Sequence, residues 1–109
     1  HRGGSAPVGA ADAGCDPHGG VYGVCRQQID QIDSELFDLL SQRMQTAEKI
    51  GRIKKANNVA ILQSNRWDDI CRRMITLTRG MGLSEEFVRS VLEAIHIESI
   101  NRQNEVMKR

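Results

Sequence analysis

Two helical stretches of this chain carry polar residues where their spacing calls for apolar ones. Alternating steps of three and four residues from Arg26 reach Ile29, Asp33, Leu36, Leu40, Arg43, Ala47, Ile50 and Lys54, the period of a coiled-coil contact line. Three positions on that line are cations. No proline interrupts Val24 to Asn57, so the pattern predicts one helix of roughly 30 or more residues. Such a helix is about 48 Å long, against a diameter of about 30 Å for a compact domain of this size. It overshoots a monomer, and the simplest cover for its protruding seam is a second copy running antiparallel about a two-fold axis.

Asn57-Asn58 breaks this helix, and a short loop from Val59 to Gln63 leads to Ser64 or Asn65 as the N-cap of a second. Asp68 and Asp69 are expected in its first turn, where negative charge suits the helix dipole. Its buried face is read as Trp67, Ile70 or Cys71, Met74 and Leu77, with Gly80 and Gly82 ending it. Ser84 caps a third helix that opens on Glu85 and Glu86, with Leu83 and Val88 placed for a hydrophobic staple, and it runs to near Met107. Its inward line is Val88, Leu92, Ile95, Ser99, Gln103 and Val106. Ser99 and Gln103, four apart, share one face. The fold class is all-α, with three helices per chain and a very long first helix.

Residues 1–23 hold seven of the ten glycines and both prolines, Pro7 and Pro17. That composition reads as a flexible linker or tag, leaving 24–109 as the domain. The chain opens on His1, as a processed chain, a tagged product or a segment of a longer protein would. Cys15, His18 and Cys25 match no common metal-ligand spacing. Three cysteines without close pairing indicate neither a disulfide framework nor a zinc ribbon, so a reduced, cytoplasmic setting is expected. A net charge of +1 and only four aromatic residues point to no nucleic-acid or membrane partner; no stretch has the apolar length of a membrane span, and the N-terminus lacks the apolar core of a signal peptide.

Any basic site must therefore be local. A buried cation is costly unless an anion meets it, and the seam offers only Asp33, so the anion comes from neighbouring helices or from a ligand. Arg43 and Lys54 are eleven residues apart, close to three turns, and share a face. Arg26 is about 42 Å along the axis from Lys54, but in an antiparallel dimer it reaches the partner's Arg43 and Lys54. These cations, with Ser99 and Gln103, outline one pocket per chain. Two guanidinium forks suit two carboxylates, and a third cation beside a neutral amide suits an oxygen that gains charge during reaction. No Ser-His-Asp or Cys-His arrangement appears. His96 has no acidic partner on its turn and reads as a partly buried or surface residue.

The run Cys25-Arg26-Gln27-Gln28-Ile29-Asp30, Arg43 in Leu39-Leu40-Ser41-Gln42-Arg43-Met44, and Lys54 after Ile50-Gly51-Arg52-Ile53 resemble the first helix of the all-helical chorismate mutases. Arg66 at the start of the second helix and Glu98-Ser99-Ile100-Asn101-Arg102-Gln103 on the third resemble that family's remaining site positions. The resemblance covers about residues 24–107. It implies an intertwined homodimer that converts chorismate to prephenate by a Claisen rearrangement, for phenylalanine and tyrosine biosynthesis, without metal or cofactor. It also implies that Arg43 and the partner's Arg26 grip the substrate carboxylates with Ser99 assisting, while Lys54 and Gln103 bond the ether oxygen. Arg66 and Gln63 complete the implied substrate contacts.

Gln63 and Trp67 stand where many members carry acidic residues near the substrate hydroxyl, so hydroxyl recognition is expected to differ. The Arg66-Trp67 pair is similar to mutase domains fused to DAHP synthase, the enzyme making the seven-carbon starting sugar acid of the shikimate pathway. Isochorismate pyruvate lyase shares the fold and most of the charged site, although the longer 57–65 segment favours the mutase. A non-catalytic helical dimerisation or regulatory module is the alternative from another class.

Overall fold

The computed structural model describes residues 20–109 and, among them, three helices and no strand. They are α1 (Val21–Asn57), α2 (Ser64–Thr78) and α3 (Glu85–Met107). The lead-in with Cys15 and His18 lies outside the described residues. Helix α1 begins three residues before the expected Val24, taking in Tyr22 and Gly23. The chain divides into two compact units, one ending at Ser41 and one running from Gln42 to Arg109.

In the first unit the described residues form the N-terminal part of α1. Its large apolar side chains face solvent, among them Ile29, Ile32 (60% exposed), Leu36, Phe37 (66% exposed) and Leu39. Arg26 lies over the Tyr22 ring, 5.5 Å from its centroid, a cation–π contact one turn apart on the helix.

In the second unit α2 packs on α3 around Ile75, Val88 and Leu92, with Trp67, Ile70, Cys71 and Met74 against them. Leu77, expected in this face, is 56% exposed; Ile75 and Thr78 are the buried residues at the end of α2. Thr78 is accommodated because its hydroxyl donates to the Met74 carbonyl at 2.8 Å, which satisfies a buried donor within the helix. On α3 the whole polar-interrupted line is inward: Val88, Leu92, Ser99, Gln103 and Val106 are buried and Ile95 is half-buried.

The helix ends show how the chain turns. Ser84 caps α3, its hydroxyl accepting from the Phe87 N–H at 3.2 Å, and Glu85 and Glu86 occupy the first turn. Helix α2 starts one residue before the first of the two expected caps and two before the second, with Gln63 as the N-cap residue and no side-chain cap. That earlier start moves Asp68 and Asp69 out of the first turn. Between α2 and α3 the chain takes a left-handed residue at Gly82, φ +75°, a conformation that favours glycine.

Helix α1 ends in a Schellman motif. Asn58 adopts φ +55°, the Val59 N–H donates to the Lys54 carbonyl at 2.9 Å, and the Asn58 N–H to the Lys55 carbonyl at 3.4 Å. These are the 6→1 and 5→2 bonds of that motif, with asparagine in the place usually taken by glycine.

Candidate active site

Gly51 sets how closely the C-terminal part of α1 approaches α3. A Cβ placed on it would lie 3.1 Å from the Gln103 Cα and 3.3 Å from its Cγ, so the two helices meet where no side chain intervenes. Along the same helix pair the polar residues pair as well. The Lys54 ammonium donates to Oε1 of Gln103 at 2.9 Å and to the Ile61 carbonyl at 2.7 Å. Nη1 of Arg43 donates to Oγ of Ser99 at 2.6 Å, and that hydroxyl also contacts Sδ of Met44 at 3.7 Å. Ser99 and Gln103 are each 7% exposed, so these bonds satisfy buried polar groups.

A cavity of about 370 Å³ opens beside these pairs. Arg43, Lys54 and Arg66 supply its charge, Thr46, Gln63, Ser99 and Gln103 neutral polar groups, and Ile50, Ile61, Ile70 and Ile100 much of its apolar wall. Among the described residues, no aspartate or glutamate lines it. Three cations therefore face a common space without a lining carboxylate. Burial pushes Arg43 below its ordinary pKa, and the neighbouring Arg66 guanidinium pushes it the same way. Burial likewise lowers Lys54. Both causes oppose charge, and an anion entering the cavity relieves both.

The donor inventory constrains the polarity further. Lysine has only donors, so the Gln103 oxygen must face it, leaving the amide NH₂ of Gln103 as a donor. Arg43 likewise presents N–H groups beyond the one held by Ser99. The cavity is built to receive acceptors, and chiefly charged ones.

Of the residues singled out from sequence, Arg43, Lys54, Gln63, Arg66, Ser99 and Gln103 line this one cavity, and Arg26 does not. Sequence reasoning missed the Ile61 carbonyl, because a backbone acceptor has no residue-type signature. It also missed that Trp67 and His96 stack, with ring centroids 4.0 Å apart and planes 15° from parallel. Both rings line the cavity, on different helices, and nothing in either helix's own period marks the pairing. Trp67, read as a core residue, belongs to the core and the cavity wall together. Among the described residues no group of histidine, cysteine and acidic side chains could hold a metal, and no helix is long and apolar enough to cross a membrane.

Residues 25–104 match the sequence model of the chorismate mutase type II family. The chain belongs to that family. It is 28% identical over 86 residues to the bifunctional chorismate mutase/prephenate dehydratase of Buchnera aphidicola, covering 79% of this chain and 22% of that protein. The bifunctional chorismate mutase/prephenate dehydratase of Escherichia coli K12 is 24% identical over 83 residues, 76% of this chain and 22% of its own length. The T-protein of Enterobacter agglomerans is 25% identical over 80 residues, 73% of this chain and 21% of its own. The chain thus spans about a fifth of the length of these relatives. No solved structure matches it significantly. For a chorismate mutase type II chain, three helices without a strand are the architecture on which the cavity must be built, and α1 and α3 supply its two polar pairs.

Proposed function

We propose that this chain is a chorismate mutase, rearranging chorismate to prephenate in aromatic amino-acid biosynthesis. The observation that carries this reading is the carboxylate-free cavity with three cations, in which a lysine is paired with a neutral amide. Chorismate brings two carboxylates and an ether oxygen. Arg43, already oriented by Ser99, takes one carboxylate, and Arg66 adds charge at the same end of the cavity. Gln63 and the indole of Trp67 meet the ring hydroxyl, a contact made without a carboxylate.

In the reaction one carbon–oxygen bond breaks as one carbon–carbon bond forms, within a single molecule and with no proton transferred. The protein needs no nucleophile. Holding the flexible dianion folded brings the bonding carbons together. The ether oxygen gains negative charge as its bond breaks, and the remaining Lys54 N–H with the Gln103 NH₂ stabilises it more strongly in the transition state than in the ground state.

In this reading two copies form an intertwined antiparallel homodimer, and Arg26 of each completes the other's cavity. The apolar seam exposed on residues 20–41 supports it, because such a run of Ile29, Ile32, Leu36, Phe37 and Leu39 is unfavourable in water. The domain takes in Val21–Gly23 as the start of α1, the protein works in the cytoplasm, and the Arg66-Trp67 pair suits association with or fusion to DAHP synthase.

The test is to incubate the purified chain with chorismate and identify the product. Prephenate supports the proposal. Unchanged chorismate, with binding to an aromatic-pathway partner, would instead mark a regulatory module; pyruvate release from isochorismate would mark a lyase.

A further inference from the structure

The Lys54 side chain is held from two directions, and only one of them is a residue of the polar helix faces. Gln103 accepts from it across the helix pair at 2.9 Å, and the Ile61 carbonyl accepts at 2.7 Å. A long flexible stem with a single partner pivots about that bond. Two acceptors occupy two of the ammonium's three N–H groups and fix the direction of the third.

Ile61 reaches Lys54 because the chain doubles back as soon as α1 ends. The reversal depends on Asn58, whose φ of +55° lies where a non-glycine side chain is uncommon and asparagine is among the best tolerated. With Asn58 so placed, the Val59 N–H closes on the Lys54 carbonyl. The loop therefore grips Lys54 by its backbone and by its ammonium. Gln63 and Arg66, which line the cavity, follow directly from this loop.

We propose that Asn58 is a positioning residue for Lys54: its left-handed conformation sets the turn that lays the Ile61 carbonyl on the ammonium and aims the free N–H at the reacting oxygen. The proposal rests on the mutase reading for its catalytic consequence, and on the hydrogen bonds alone for its structural one. Asn58 touches no substrate. Its effect passes through residues 59–61 to Lys54.

The test compares Asn58→Val, which resists positive φ, with Asn58→Gly, which adopts it freely. With chorismate as substrate, Asn58→Val lowers kcat about tenfold or more, the scale of a misplaced catalytic group, while KM changes little because the carboxylates are gripped elsewhere. Asn58→Gly restores kcat to within about twofold. Reductive methylation of Lys54, followed by peptide mass spectrometry, gives a readout independent of activity: it speeds up several-fold in Asn58→Val and not in Asn58→Gly. If wild-type protein converts chorismate and Asn58→Val keeps its kcat, or both variants lose activity equally, the proposal is overturned. If wild-type protein leaves chorismate unchanged, the mutase reading fails, and equal methylation rates in wild type and Asn58→Val would then overturn the positioning role as well. Should Asn58→Val lose its helical circular dichroism, the milder Asn58→Ala takes its place with the same expected directions.

Discussion

Lys54 and Gln103, separated by 49 residues of sequence, meet through a 2.9 Å hydrogen bond from ammonium to amide oxygen. The pairing leaves one charged donor and one neutral donor on the same side of a small cavity. Replacing Lys54 by alanine removes the charged one. Turnover of chorismate is expected to fall roughly 10²-fold or more, the usual loss for one preorganised donor, with far-UV circular dichroism unchanged. Steady-state kinetics at saturating chorismate check this, and an unaltered kcat would take Lys54 out of the mechanism.

The lowered pKa of Lys54 has opposite consequences for activity and for stability. Burial disfavours its ammonium in the folded state, so above the folded pKa the unfolded chain binds more protons, and stability rises with pH up to the ordinary lysine range. Below the folded pKa both states are protonated and the folded state carries the full penalty. Turnover should fall through that same alkaline window, because the charged donor is being lost. Profiles of kcat/KM and denaturant midpoints against pH, for wild type and Lys54→Met, should show both trends in wild type and neither in the variant.

Gly51 faces the Gln103 backbone so closely that, with one added methyl group, Gln103 must give by a few tenths of an ångström. Gly51→Ala is expected to destabilise the fold by about 1–3 kcal/mol, the scale of overpacking, and to lower kcat by displacing Gln103 from Lys54. A double-mutant cycle with Gln103→Ala tests the route: the kcat losses should be less than additive. Full additivity would mean that Gly51 acts on something else.

In the proposed dimer, sharing of sites between two copies predicts complementation. Arg26→Ala and Lys54→Ala chains, each inactive, are unfolded together and refolded. Random pairing gives half mixed dimers, each with one intact site of two, so about a quarter of wild-type activity should return. No recovery would assign each site to a single chain.

Trp67 is the sole tryptophan, and its indole forms part of the cavity wall, stacked on His96. A dicarboxylate entering the cavity should change its fluorescence saturably. Arg43→Ala should weaken that response about tenfold or more by removing a charge-assisted contact, and high salt should weaken it as well. A response indifferent to Arg43 would place the ligand elsewhere.

What the sequence by itself determined is the set of residues that share a face. Helical periodicity requires Val88, Leu92, Ser99, Gln103 and Val106 to line up, and all five are buried; Ser84 followed by two glutamates marks a helix start, and α3 starts there. Periodicity was less decisive at helix ends, where burial depends on what lies opposite. Leu77 continues its stripe and yet stays exposed, while its neighbours Ile75 and Thr78 are covered. Only the tertiary structure decided the partners: Ser99 on Arg43, Gln103 on Lys54, and the Trp67–His96 stack. The spacing along one helix carries no information about the rotation or height of another, which here depends on the close approach at Gly51. The Ile61 carbonyl was hidden for a different reason. Every residue has a carbonyl, and only the turn at Asn58 brings this one to a lysine.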